Sequence, residues 1–287
     1  MYVTLLALLS TCANPYTQAV FKIVDLLISR SIPYAAIFGN HDDEGPRKTH
    51  LSRSAQMSLL STMPFSLSQP GPEEVEGIGN YVVEVLAPNP SQHSAVTIYF
   101  LDSHSYSPDE ATFRGYDWIK PTQIDWFRQT AQSLKAKNDK YSHFHLDMAF
   151  IHIPLPEYGL QDNIRAGGDR KEPETSPGFN SGFYNALKEE GVVAVGCGHD
   201  HVNDYCALRP GSSTEKNLGP WMCYAGGSGF GGYAGWGGFH RRLRVWEVDT
   251  NAGRLVTWTR LECCGPATEK RQNELMIVDG GKVIAPQ

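Results

Sequence analysis

The sequence predicts an α/β fold with parallel strands, on three observations. Val20, Ile23, Val24, Leu27 and Ile28 recur at helical spacing, the signature of an amphipathic helix facing a sheet. Ser31-Ile-Pro33 then ends the helix and the apolar run 34–38 follows at once, a helix-then-strand unit of the kind that builds parallel sheets. Two more apolar runs, 146–152 and 192–196, lead straight into histidine-bearing segments.

The 287 residues suit one large α/β domain or two small ones. With no internal repeat and no linker, residues 1–287 read as a single domain. The 41% hydrophobic content can bury a sizeable core, and the net charge of −6 offers no footprint for nucleic acid or an anionic membrane. Six cysteines without CxxC spacing read as free thiols in a reducing compartment, which makes the expected location cytoplasmic.

The apolar run 3–9 is too short to span a bilayer. A signal peptide ending near Ala13, and hence a secreted protein, is the alternative, although the basic leading region is missing. The preferred reading is a segment that packs on the domain or takes the place of a strand.

Asn14-Pro15 supplies a cap and a proline for the first helix, which faces strand 34–38. A short helix is expected at 55–62. Strands at 81–86 and 95–101 flank Pro88-Asn-Pro90 as a hairpin. Residues 103–116 read as loop, and Pro121 starts a helix reaching about Lys137. The run 146–152 is a buried strand, 161–177 a surface loop, 180–190 a short helix and 192–196 another core strand. Residues 221–225 read as strand, 226–238 as a packed glycine and aromatic turn. Segments 243–248 and 255–261 form a closing hairpin around Asp249 to Gly253.

The chemistry sits where strands end. Gly39 permits a tight turn or close approach, and Asn40, His41 and Asp42 follow with an amide oxygen, an imidazole and a carboxylate. His152 ends a second strand, and His199 and His201 follow a third. Neutral imidazoles with an amide oxygen suit a borderline divalent ion such as Zn, Mn or Fe. His199 and His201, two apart, could serve two different ions.

His50, His93 and His240 read as solvated, and His143 and His145 as non-ligands. His104, just after a strand end, is a possible lining residue. Asp42 is expected to orient His41, with Asp43 and Glu44 capping the turn or facing solvent.

Gly39-Asn-His-Asp42, His152 and Gly198-His-Asp-His201 together resemble the calcineurin-like metallophosphoesterases. The longer phrases Phe38-Gly-Asn-His-Asp-Asp-Glu-Gly45, Gly115-Tyr-Asp-Trp-Ile-Lys-Pro121, Phe150-Ile-His-Ile-Pro-Leu-Pro-Glu-Tyr158 and Gly198-His-Asp-His-Val-Asn-Asp-Tyr205 resemble the branch related to purple acid phosphatases. The likeness runs over about residues 11–262. It implies a two-sheet α/β sandwich flanked by helices, with metals at the strand ends. It also implies hydrolysis of phosphate esters, in a phosphoprotein or a small phosphoester, by metal-bound hydroxide. By position, Asn40, His152 and His199 would hold one metal and His201 the other, while His41 would serve the departing oxygen.

The sequence also departs from the family. Members carry an Asp-x-His and a Gly-Asp-x-x-Asp or Gly-Asp-x-x-Tyr motif before this first helix, yet residues 1–13 contain neither aspartate nor histidine. The expectation is therefore an N-terminally truncated domain lacking its first strands. It would carry one ion or none rather than two and show impaired hydrolysis. The alternative is an inactive fragment or pseudophosphatase binding at most one metal.

Overall fold

Strand β1 (Leu6–Ala7) pairs in parallel with β2 (Ala36–Ile37), and helix α1 (Tyr16–Ile28) lies between them in the chain. This computed structural model describes residues 6–7, 16–44, 51–88, 93–139, 144–211, 218–229, 233, 240–262 and 270–286. Val20, Val24 and Leu27 bury one face of α1, while Phe21 and Leu26 stay exposed, the one-sided pattern read from the sequence. Ser31 ends the helix at a φ of 52°. Tyr34 through Phe38 are all buried, and the Tyr34 backbone bridges to Ser66. The pairing of Leu6–Ala7 beside β2 matches the reading of the leading apolar run as a strand-like segment.

Helix α2 (Arg53–Ser61) starts at Ser52, whose hydroxyl accepts from the Ala55 N–H at 3.2 Å. Strands β3 (Tyr81–Leu86) and β4 (Ser94–Phe100) form the expected antiparallel hairpin. His93, expected at the surface, is buried at the hairpin's end, where its carbonyl accepts from the Ala87 N–H. His240 is exposed, as expected; His50 and His143 lie outside the described residues. Helix α3 (Pro121–Asn138) opens on its proline. Next come β5 (Leu146–Phe150), β6 (Ile164–Ala166), α4 (Phe183–Glu189), β7 (Val192–Cys197), β8 (Cys206–Leu208) and β9 (Trp221–Tyr224). The chain closes with β10 (Arg242–Asp249), β11 (Arg254–Leu261), β12 (Gln272–Asp279) and β13 (Lys282–Val283).

Seven strands form one sheet in the order β3-β4-β5-β7-β9-β8-β6, in which β4, β5, β7 and β9 run parallel. Strands β10 to β13 form a second, antiparallel sheet. Period-two alternation divides the core. Val96, Ile98, Phe100, Met148 and Phe150 join α1, β2 and the second sheet on one face. Tyr99, Leu101, Ala149, Ile151 and Val195 meet α3 and α4 on the other. This is the two-sheet α/β sandwich that the sequence predicts, with helices against it.

The loop expected at 161–177 contains β6, whose three residues pair with β8. Cys206 and Cys223 are not the free thiols expected. They face each other across β8 and β9 and form a disulfide. Cys197 is free and buried; Cys12, Cys263 and Cys264 lie outside the described residues. Most of the glycine-rich turn at 226–238 also lies outside them.

Candidate metal centre

Adjacent parallel strands deliver two of the histidines. The β5–β7 ladder continues past its ends, with Ile151 N–H donating to Gly196 O and Gly198 N–H to His152 O, each at 3.0 Å. His152 and His199 thus emerge side by side, their rings 5.3 Å apart at 80°. From the end of β2, Asn40 reaches between them. Its Oδ1 lies 3.0 Å from His152 Nε2 and 3.1 Å from His199 Nδ1. Asn40 Nδ2, also buried, has no partner.

Two glycines make room for the His152 ring. A Cβ on Gly39 would sit 3.0 Å from its Cε1, and one on Gly198 3.3 Å from its Nδ1. His199 has a φ of 73°, a left-handed conformation that costs a non-glycine residue roughly 1–2 kcal/mol. Burial is the main force on both imidazoles. It holds His152 well below its ordinary pKa and pulls His199 down to about 3, with neighbouring histidines adding to the effect. Both rings are therefore neutral at pH 7, with a lone pair on one nitrogen each.

His201 lines the same cavity of about 60 Å³ as His152 and His199. Its ring stacks on Tyr233, with centroids 4.2 Å apart at 7°. Tyr233 OH accepts from the His201 N–H at 2.9 Å and donates to Glu172 Oε1 at 2.8 Å. Among the described residues, no group of three His, Cys, Asp or Glu side chains is placed to hold an ion. The convergent set reaches three donors only by counting the Asn40 amide.

The carboxylates around His41 exchange the roles expected of them. Asp42 turns inward and its Oδ2 accepts from Gly39 N–H at 2.6 Å. Burial pushes its pKa up to about 7. Glu44 instead meets His41 Nδ1. Asp43 pairs with Arg53 at 3.1 Å. Asp200, between His199 and His201, is also turned away from the cavity, toward the Thr175 hydroxyl and Tyr224 OH.

Sequence reasoning missed the residues behind the site. Arg53 pairs with Asp102 and donates to Gly39 O at 2.9 Å and His104 O at 3.1 Å. Ser103 Oγ accepts from the N–H groups of His152 and Ile153. Asp102 and Ser103 lie two and three residues past the end of β4, so the strand-end rule that found His152 could have found them. His104 bonds Gln123 at 2.8 Å and does not join the cluster. His145 is engaged with Ser94 O and Asp147, away from it.

The model of the family described as "Calcineurin-like phosphoesterase" matches residues 10–203. The chain belongs to the calcineurin-like phosphoesterase family. Within the family it is 40% identical over 252 residues to "Phosphatase DCR2" of Saccharomyces cerevisiae, covering 84% of this chain and 41% of that protein. It is 37% identical over 265 residues to "Probable inactive purple acid phosphatase 29" of Arabidopsis thaliana, covering 88% and 64%. To "Probable inactive purple acid phosphatase 14" of the same plant it is 35% identical over 273 residues, covering 86% and 65%. These relatives place it in the branch related to purple acid phosphatases. The chain spans 41–65% of their lengths. No helix among the described residues is long and apolar enough to cross a membrane.

Proposed function

We propose that this chain is a metal-dependent phosphatase. Asn40, His152 and His199 would hold one divalent ion, His201 would face a second position, and His41 would serve the leaving group. The observation that supports this most is the approach of two imidazole nitrogens to one amide oxygen at 3.0 and 3.1 Å. Ligands bonded to one ion at roughly 2.0–2.2 Å lie about 3–3.5 Å from each other, so the spacing fits. An asparagine crowded at Oδ1 and orphaned at Nδ2 is poorly used as a hydrogen-bonding residue. Two neutral nitrogens and an amide oxygen suit Zn, Mn or Fe. When bound, such an ion supplies a nucleophile from water and offsets charge on the phosphoryl oxygens.

The chain's own residues do the rest. The Glu44 contact occupies His41 Nδ1, which leaves Nε2 to give its proton to the ester oxygen as the bond to phosphorus breaks. Gly39 and Gly198 form the slot for His152, and the Asp42 cap fixes the turn that presents Asn40. The substrate is a phosphoprotein or a small phosphoester; the negative net charge disfavours nucleic acid. The core shared by α1 and both sheets supports one domain. Between a cytoplasmic and a secreted location, the Cys206–Cys223 bridge supports the secreted one.

We further infer that turnover is low. Asp42 and Asp200 face away from the cavity, so neither joins the neutral donors. Among the described residues no carboxylate joins this set to offset repulsion between two ions. Relatives named "probable inactive" support the alternative, a pseudophosphatase holding at most one metal. The test is Zn, Mn and Fe content after dialysis, with turnover on a phosphoester panel. Loss of metal in both Asn40→Ala and His152→Ala is expected, and full retention in both would overturn the ligand assignment. Metal retention with no turnover on any ester would select the pseudophosphatase.

A further inference from the structure

We propose that Tyr106 and Tyr116 form an aromatic ledge beside the candidate metal centre that favours phosphoesters with a planar aromatic leaving group. This rests on the phosphoester reading of the site and adds a substrate class to it.

The two rings stack on each other, centroids 5.2 Å apart at 22°. Tyr116 stands edge-on to His199 at 4.4 Å and 90°. Tyr106 presents its ring toward His41 at 6.4 Å and 70°. The pair therefore bridges the imidazole assigned to the ion and the imidazole assigned to the leaving group. A phosphate held between His199 and His41 has the ledge as its neighbour.

The ledge is built into the backbone. Tyr106 and Tyr116 pair in an isolated antiparallel bridge. On either side, Ser107 N–H donates to Gly115 O at 2.8 Å and Asp117 N–H to Ser105 O at 2.9 Å. Ser105 Oγ donates to Asn40 O at 2.8 Å, which ties this short ladder to the turn carrying Asn40 and His41. A ligand ring would meet a surface already in place, with little ordering cost.

A single exposed tyrosine is ordinary on any surface. Here the exposed ring, Tyr106 at 49%, is stacked on a partner that itself touches a site histidine. The ledge offers ring faces to a ligand beside the two imidazoles. An aryl substituent gains offset or edge contact there, and a methyl group does not.

The test uses phenylphosphonate and methylphosphonate, whose P–C bonds keep binding separate from turnover. Titration calorimetry on the full chain with Zn²⁺ supplied reads both dissociation constants. The phenyl compound should bind about tenfold tighter. Tyr106→Leu should bring the ratio close to one with methylphosphonate little changed, and Tyr106→Phe should keep the preference. Binding of both compounds at a ratio near one in the unmodified chain would overturn the ledge alone. So would a preference that survives Tyr106→Leu. Failure of both compounds to bind would overturn the phosphoester reading, and the ledge with it.

Discussion

His41 Nδ1 meets the carboxylate of Glu44, three residues on in the same turn, and not that of Asp42 beside it. The contact fixes which ring nitrogen remains for the ester. His41→Ala should lower whatever phosphoester turnover the chain shows by about 100- to 10,000-fold, with bound metal unchanged. Glu44→Gln should cost less, because the amide keeps a polar partner at His41 Nδ1. Metal analysis beside kinetics checks both. Loss of metal in His41→Ala would show that His41 is a ligand.

The Cys206–Cys223 disulfide closes a loop with a sequence separation of 17 between two buried strands. Loops of this size restrict the unfolded chain by about 3 kcal/mol. The double variant Cys206→Ala, Cys223→Ala should lose roughly that much in denaturant unfolding, read at constant slope. A loss of the same size on adding reductant to the unmodified chain, and none in the variant, would attribute the effect to the bond. Equal midpoints in all four samples would show that the bond does not form in solution.

The parts legible in the sequence were those whose burial is local. Strands β2, β5 and β7 read as apolar runs because they are buried along nearly their whole length, and their ends gave Asn40, His152 and His199. Strands β6 and β8 have three residues each and exist through pairing with each other and with β9, which no local pattern announces. Strand β12 hides because only Leu275, Ile277 and Val278 are buried among its polar residues. Asp42 and Glu44 exchanged roles because the turn folds Asp42 back onto the Gly39 N–H, a side-chain-to-backbone closure that spacing alone leaves open. The disulfide depended on the same β8–β9 pairing.

His145 gives a pH signature remote from the site. Burial works to lower its pKa, but the Asp147 carboxylate and the Ser94 carbonyl, with Glu84 nearby, outweigh it and the net shift is upward. A histidine raised on folding stabilises the protein fully below its unfolded pKa, and this contribution fades as pH rises through the folded value. The thermal midpoint of the unmodified chain should therefore exceed that of His145→Gln most clearly near about pH 6 and less by about pH 8.5. A difference independent of pH would mean that the ring acts only by packing.

Gly39→Ala tests whether the His152 slot sets the site's geometry. The added Cβ would lie 3.0 Å from His152 Cε1, 3.1 Å from Nε2 and 3.3 Å from Nδ1. The ring has little room to retreat, since a Cβ built on Gly198 would lie only 3.3 Å from its Nδ1. Its backbone is held as well, by Ser103 Oγ at the N–H and Gly198 N–H at the carbonyl. Gly39 has no positive φ, so alanine adds bulk there without a left-handed penalty. Crowding of this kind typically costs about 1–3 kcal/mol of stability, and the strain falls on the 3.0 Å spacing between His152 Nε2 and Asn40 Oδ1. Gly39→Ala should therefore weaken Zn²⁺ binding beyond what its lower thermal midpoint explains. Gly198→Ala, whose contacts are looser at 3.3 and 3.6 Å, should weaken it less. Destabilisation with Zn²⁺ affinity intact would separate the slot from the metal and remove His152 from the ligand set.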